Sequence, residues 1–179
     1  MLRTLNQVSE PRVGIGWDIH RLVPGRRLVL GGVEVPSPAG FDTHSDGDVL
    51  SHAVVDALAG AVADGDLGTH FPEDDPEAEE ARSLDFVVAF AARVRERGFE
   101  VGSLDSFVVL GTVRLRPHLD AIRANLAEAL RVPLDRVSVK ARSADGLGPE
   151  GRGEAASASV SLLLRSLRGV DAGPVRPPT

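Results

Sequence analysis

The spacing of apolar residues changes period several times along this chain, and each change marks an expected element. VGIGWDIH alternates apolar and polar positions just after a proline, which predicts a strand over residues 12–18. RLVLGGVEVP sets two short apolar runs on either side of Gly31-Gly32, the pattern of a hairpin. The period then lengthens. Val49, Leu50, Ala53, Val54, Ala57, Leu58 and Ala61 recur at helical spacing, with Ser45 or Asp46 as the expected cap and Gly65 as the expected stop. A second helix is expected over 82–97, with Leu84, Val87, Val88, Ala91 and Val94 turned inward and Gly98 ending it. SFVVLG predicts a strand over 106–111, and Pro117 suits the first turn of a third helix running to Leu130. RVSVKA over 136–141 and ASASVSLLLRSL over 156–167 predict the remaining strands. Between them SADGLGPEGRGE carries too much glycine for a regular element and reads as a long functional loop.

This order of strands and helices predicts an α+β fold, a single-domain sandwich of a mixed β-sheet with helices on one face. The domain is expected over residues 12–167, with 1–11 a flexible leader and the Pro- and Gly-rich 168–179 a disordered tail. In the last strand Ser157, Ser159 and Ser161 alternate with Ala156, Ala158, Val160 and Leu162, so it is moderately apolar on both sides. Three helices do not cover two sheet faces, and the second face is expected to pack against other subunits.

Composition narrows the function. The 179 residues are 42% hydrophobic and 26% charged, with a formal net charge of −6, which argues against a nucleic-acid partner. The first residues lack the apolar stretch of a secretory signal and no apolar run approaches a membrane span, so a cytoplasmic location with no membrane partner is expected. There is no cysteine, which leaves His, Asp and Glu as the strong metal ligands, and only five His are present.

Those few histidines stand in suggestive places. Asp18 and His20 are two apart on an expected strand and therefore share a face. His52 lies on the first long helix, flanked one turn away by Asp48 and Asp56, either of which could orient its ring. Two His and one carboxylate would leave a tetrahedral zinc with one open position. Spacing alone favours hydrogen-bonded or solvated polar groups, because a D-x-H pair is more often that than a metal site. The helix start H-S-D-G-D offers caps, or an anion site at His44 and the first-turn N–H groups. G-D-L-G-T-H-F-P-E-D-D-P is an acidic surface loop or a set of hydroxyl ligands including Asp66. The glycine loop at 144–154 lacks the Lys-Ser or Lys-Thr of a P-loop, but its backbone and Arg152 could meet phosphate, as could Arg114 and Arg116.

Taken together, G-W-D-I-H, T-H-S-D-G-D-V-L-S-H-A, G-D-L-G-T-H-F-P-E-D-D and V-K-A-R-S-A-D-G-L-G-P-E-G-R-G-E, in this order, resemble the 2-C-methyl-D-erythritol 2,4-cyclodiphosphate synthase family over about residues 12–167. The resemblance implies a homotrimer that converts 4-diphosphocytidyl-2-C-methyl-D-erythritol 2-phosphate to the 2,4-cyclodiphosphate and releases CMP, with active sites between subunits. It implies zinc on Asp18, His20 and His52, and a second divalent ion, Mg2+ or Mn2+, on Asp145. His44 and Ser143 become the catalytic candidates. Ser45, Asp66, Gly68, Phe71, Asp75, Arg114, Arg142 and Arg152 become substrate contacts, with Arg152 near the trimer axis. This chain departs from the family pattern at Val113-Arg114 (usually Pro-Lys), at Arg142-Ser143 (usually two Thr), at Asp145 (usually Glu) and at Pro149 (often aromatic). A zinc phosphohydrolase and a binding protein without chemistry are the rival readings.

Overall fold

The structure is a computed structural model that describes residues 10–43, 45–72 and 82–167. In chain order its elements are β1 (Arg12–Pro24), β2 (Leu28–Leu30), β3 (Val33–Val35), β4 (Ala39–Phe41), α1 (Val49–Ala61), α2 (Leu67–His70), α3 (Ser83–Glu96), β5 (Phe99–Val109), α4 (Leu119–Leu130), β6 (Val137–Arg142), α5 (Gly148–Gly151) and β7 (Ala155–Ser166). The expected leader lies outside the described residues over 1–9 and the expected tail wholly so.

The main sheet is mixed and five-stranded, in the order β4-β1-β7-β5-β6, with β5 and β6 parallel and the other pairs antiparallel. The hairpin expected at Gly31-Gly32 forms as a separate two-stranded sheet. Both glycines have positive φ, 54° and 70°, as a two-residue turn between right-twisted strands requires.

Helices α1, α3 and α4 cover one face of the main sheet, and the core lies between them. Helix α1 is buried on nearly every side, and it lies directly against β1. The inward positions of that strand are Gly14 and Gly16. A Cβ on Gly14 would stand 1.9 Å from the Ala57 carbonyl oxygen, and one on Gly16 1.9 Å from that of Ala53. Any larger residue would lift the helix off the strand. Two residues further along the same face come Asp18 and then His20, in register with Ala158 and Ala156. The glycines thus fix how closely the helix approaches the side chains that follow them.

Several expectations need correction. The helix cap is Asp48, not Ser45 or Asp46. Its carboxylate accepts the N–H groups of Leu50 and Ser51 at 3.1 Å, the Ser51 hydroxyl at 2.7 Å and the Gly32 N–H at 2.8 Å. Burial pushes this carboxyl above its ordinary range against those four donors. Helix α1 ends at Ala61, before Gly65, and Ala63 takes the left-handed conformation. On α3 Val88 is 41% exposed, and the inward position belongs to Phe90 at 2%. The glycine loop is not devoid of structure, since it holds a 3-10 turn at Ala144–Gly146 and the single turn α5. The last strand is not apolar on both sides, because its outward positions carry Ser159 and Ser161. The outer face is apolar mainly through β1, where Val13, Ile15 and Trp17 are 64%, 75% and 56% exposed, with Phe107 and Leu163 beside them. Among the described residues no helix is long and apolar enough to cross a membrane.

Candidate active site

Strand β1 presents Asp18 and His20 where α1 begins, and the first turn of α1 presents His52. Asp18 Oδ2 is 3.0 Å from His52 Nδ1 and 3.2 Å from His20 Nε2. One ligand atom from each of the three residues lies within 4.8 Å of the others. Their side chains are 24%, 21% and 11% exposed for Asp18, His20 and His52, so the cluster opens to solvent on one side and a substrate oxygen has access.

The proton positions decide what such a cluster accommodates. His20 Nδ1 is 2.9 Å from the Gly47 carbonyl oxygen. A carbonyl only accepts, so Nδ1 carries the hydrogen and Nε2 turns a lone pair toward Asp18. His52 is held through its other nitrogen, Nε2, by Ser83 Oγ at 2.9 Å. Burial raises the carboxyl of Asp18, but the His52 hydrogen bond, the electrostatic pull of the neighbouring His20 and His52 rings and the Ile19 N–H outweigh it, and the group sits below the ordinary carboxylate range. Two imidazole nitrogens and an anionic oxygen therefore converge, a donor set that suits a zinc ion with one position left for substrate.

The other expected contacts are dispersed. Asp56 accepts the Leu67 N–H at 2.8 Å and so anchors α2, while Asp48 caps α1; neither orients the ring of His52. Asp66 caps α2, its Oδ1 accepting the Thr69 N–H at 2.9 Å and the Thr69 hydroxyl at 2.6 Å. Phe71 stacks on Phe86 with centroids 4.2 Å apart. Ser45 Oγ accepts the Gly47 N–H at 3.2 Å, and a Cβ on Gly68 would meet Asp66 Oδ1 at an ordinary 3.9 Å. Arg114 is exposed, as are Arg142, Ser143, Asp145 and Arg152. His44 and Asp75 lie outside the described residues.

Strand register relates the two groups. Ile19 pairs with Ser157, Ser157 with Val109, and Val109 with Arg142, so β1 and β6 bring their candidates to the same end of the sheet. Three strand spacings separate them, roughly 14 Å at ~4.8 Å each.

A model of the YgbB family matches residues 11–165. The chain belongs to the YgbB family. A YgbB relative, the 2-C-methyl-D-erythritol 2,4-cyclodiphosphate synthase of Gloeobacter violaceus, is 49% identical over 155 residues that make up 87% of this chain and 95% of that one. The bifunctional enzyme IspD/IspF of Albidiferax ferrireducens is 51% identical over 154 residues, 86% of this chain and 37% of that longer protein. Among solved structures, a 2-C-methyl-D-erythritol-2,4-cyclodiphosphate synthase in a CDP-bound form matches with a TM-score of 0.79 at 36% identity, over 86% of this chain and 99% of that one.

Sequence reasoning about this YgbB chain missed two partners of the histidines, the Gly47 carbonyl and Ser83. No local signal marks either. Ser83 opens α3 and reads as an ordinary helix-start serine, 31 residues from His52.

Proposed function

We propose that this chain is a 2-C-methyl-D-erythritol 2,4-cyclodiphosphate synthase. It converts 4-diphosphocytidyl-2-C-methyl-D-erythritol 2-phosphate to the 2,4-cyclodiphosphate with release of CMP, in non-mevalonate isoprenoid precursor biosynthesis. The observation that carries the reading is the convergence of Asp18, His20 and His52 at one solvent-open point.

An oxygen of the substrate's 2-phosphate attacks the phosphorus that bears the erythritol oxygen. The new P–O bond closes the ring as the bond from that phosphorus to the CMP oxygen breaks. The nucleophile is already anionic, so the reaction needs positioning and charge neutralisation rather than a strong base. Holding both phosphates in contact supplies about 7–11 kcal/mol in well-oriented cases. Asp18, His20 and His52 hold zinc in this reading, and Asp145 holds Mg2+ or Mn2+. When bound, these cations withdraw charge from the diphosphate oxygens. His44 and Ser45 grip a substrate phosphate, Asp66 and Gly68 face the erythritol hydroxyls, and Phe71 and Asp75 line that pocket. Arg114, Arg142 and Ser143 serve the nucleotide side.

The active unit is a homotrimer in the cytoplasm, with Arg152 near its axis and each site completed by a neighbour. Two observations support this assembly. The apolar positions Val13, Ile15 and Trp17 stand on the sheet face away from the helices. The metal and nucleotide candidates are also separated by three strand spacings, a gap that a second subunit would bridge.

Phosphorus NMR of the protein with the cytidyl substrate, with and without zinc and magnesium, tests the reading. The expected product is the cyclic diphosphate plus CMP; a linear phosphate would make the protein a hydrolase. His52→Ala should retain no zinc after dialysis and lose turnover by more than about 1,000-fold, while remaining folded. Full activity of that variant after metal removal would refute the metal assignment.

A further inference from the structure

We propose that Ser83, backed by Asp46, is a positioning residue that holds a ring hydrogen of His52 on Nε2, so that Nδ1, which bonds Asp18 in the metal-free protein, is the nitrogen left to give its lone pair to a metal ion. The inference rests on the zinc reading above and adds to it the means by which His52 is held ready.

Ser83 is wholly buried at the start of α3. Its Oγ has two polar neighbours, His52 Nε2 at 2.9 Å and a carboxylate oxygen, Asp46 Oδ1. A hydroxyl has only one hydrogen to give. Asp46 accepts the Ser83 N–H at 3.2 Å on Oδ1 and 3.1 Å on Oδ2, and the Asp48 N–H at 3.3 Å on Oδ1. A carboxylate surrounded by these donors offers lone pairs, so the hydroxyl hydrogen points at Asp46. The Ser83 oxygen then offers a lone pair to His52, and Nε2 supplies the hydrogen between them. The opposite arrangement, with Ser83 donating to His52, would leave the Ser83 and Asp46 oxygens facing each other with no hydrogen in the gap.

The two histidines are therefore set by different devices. The Gly47 carbonyl sets His20 and belongs to the main chain. The hydroxyl and carboxylate that set His52 belong to side chains from a different helix and a different turn. A partner on the far nitrogen of a metal-bound imidazole fixes its tautomer and orientation, and its loss typically weakens metal binding 10- to 100-fold. Ser83 thereby ties α3 to the cluster, although it approaches only the nitrogen of His52 that faces away from Asp18.

The test is zinc affinity by competition with a chromophoric chelator, read on the full-length wild type and on Ser83→Ala, with melting of the metal-free proteins as the control for folding. Wild type should bind zinc tightly. Ser83→Ala should bind about 10- to 100-fold more weakly and regain turnover at saturating zinc. Nitrogen-15 NMR of the zinc-loaded wild type provides the second readout, with the His52 ring hydrogen expected on Nε2 and slow to exchange. A ring hydrogen on Nδ1 would overturn the inference even if Ser83→Ala failed to fold. Unchanged zinc affinity in a folded Ser83→Ala would overturn it while leaving the metal site intact. Failure of the wild type to bind zinc would sink the metal reading itself.

Discussion

The two ends of the candidate site are built on different plans. At the metal end each side chain is held by a partner distant in sequence: Asp18 by His52, His20 by Gly47, His52 by Ser83. At the other end the main chain is tied to Leu22, Leu110 and Gly111, but the side-chain bonds of the candidate residues are local. Arg142 donates to the Ala141 carbonyl, Ser143 to Asp145, and Arg152 to Glu154 two residues on. The backbone there runs left-handed through Ala144, Asp145 and Gly146, at φ of 59°, 49° and 78°. For the two non-glycine residues that conformation costs roughly 1–2 kcal/mol each. Long-range contacts rigidify a site before ligand arrives, whereas an exposed turn with local bonds adapts to what it meets. The Asp18–His20–His52 end is therefore the preorganised half, and the exposed side chains of the 142–154 segment the half with room to adjust.

The contrast can be broken most severely at a position that touches no ligand. Gly16→Val would drive a Cβ to within 1.9 Å of the Ala53 carbonyl and force α1 away from β1. Urea unfolding should show a loss of about 3 kcal/mol or more, and retained zinc after dialysis should fall with it. Arg142→Ala sharpens the difference from the other side. Its KM for the cytidyl substrate should rise roughly 10-fold, the loss of one charge-assisted contact, with zinc affinity unchanged. Weakened zinc binding in that variant would mean that the two halves are one mechanical unit.

The smallest effect concerns a turn away from both, just past the C-terminal end of α1. Asp64 binds Arg97 Nη2 at 2.6 Å, and Arg93 Nε lies 2.7 Å away as an ion pair, while His70 holds the Asp64 carbonyl at 2.6 Å. The Arg97 hydrogen bond, followed by the charge of Arg93, keeps the Asp64 carboxyl below the ordinary range. A lowered folded-state pKa stabilises the fold above the unfolded value of about 3.9, and that contribution disappears as pH falls through the folded value. Asp64→Asn should therefore melt a few degrees below wild type at pH 7, with the difference closing below about pH 4. A gap that did not narrow as the pH was lowered below about 4 would assign the effect to packing instead of charge.

What the sequence revealed follows from the range of the interaction involved. The Asp18–His20 pair was legible because a two-residue period on a strand guarantees a shared face. The Gly31-Gly32 hairpin was legible because two adjacent positive φ angles are a demand that the local sequence must meet. The helix cap was misplaced because Ser45, Asp46 and Asp48 have comparable local propensity. Asp48 prevails through the Gly32 N–H on a different element, which no local signal encodes. Val88 and Phe90 were confused on α3 because the apolar stripe there is wide enough to include either, and packing against neighbouring elements selects Phe90. Strand β4 is three residues long and too short for any period to register.

Strand β1 carries two messages on alternate residues. Gly14, Gly16, Asp18 and His20 face the helices, while Val13, Ile15 and Trp17 face outward. Because the glycines leave no slack between strand and helix, β1 behaves as a stiff lever with apolar handles on one side and ligands on the other. Trp17 and Asp18 are adjacent on that strand, so whatever covers the outer surface packs one residue away from the candidate ligands.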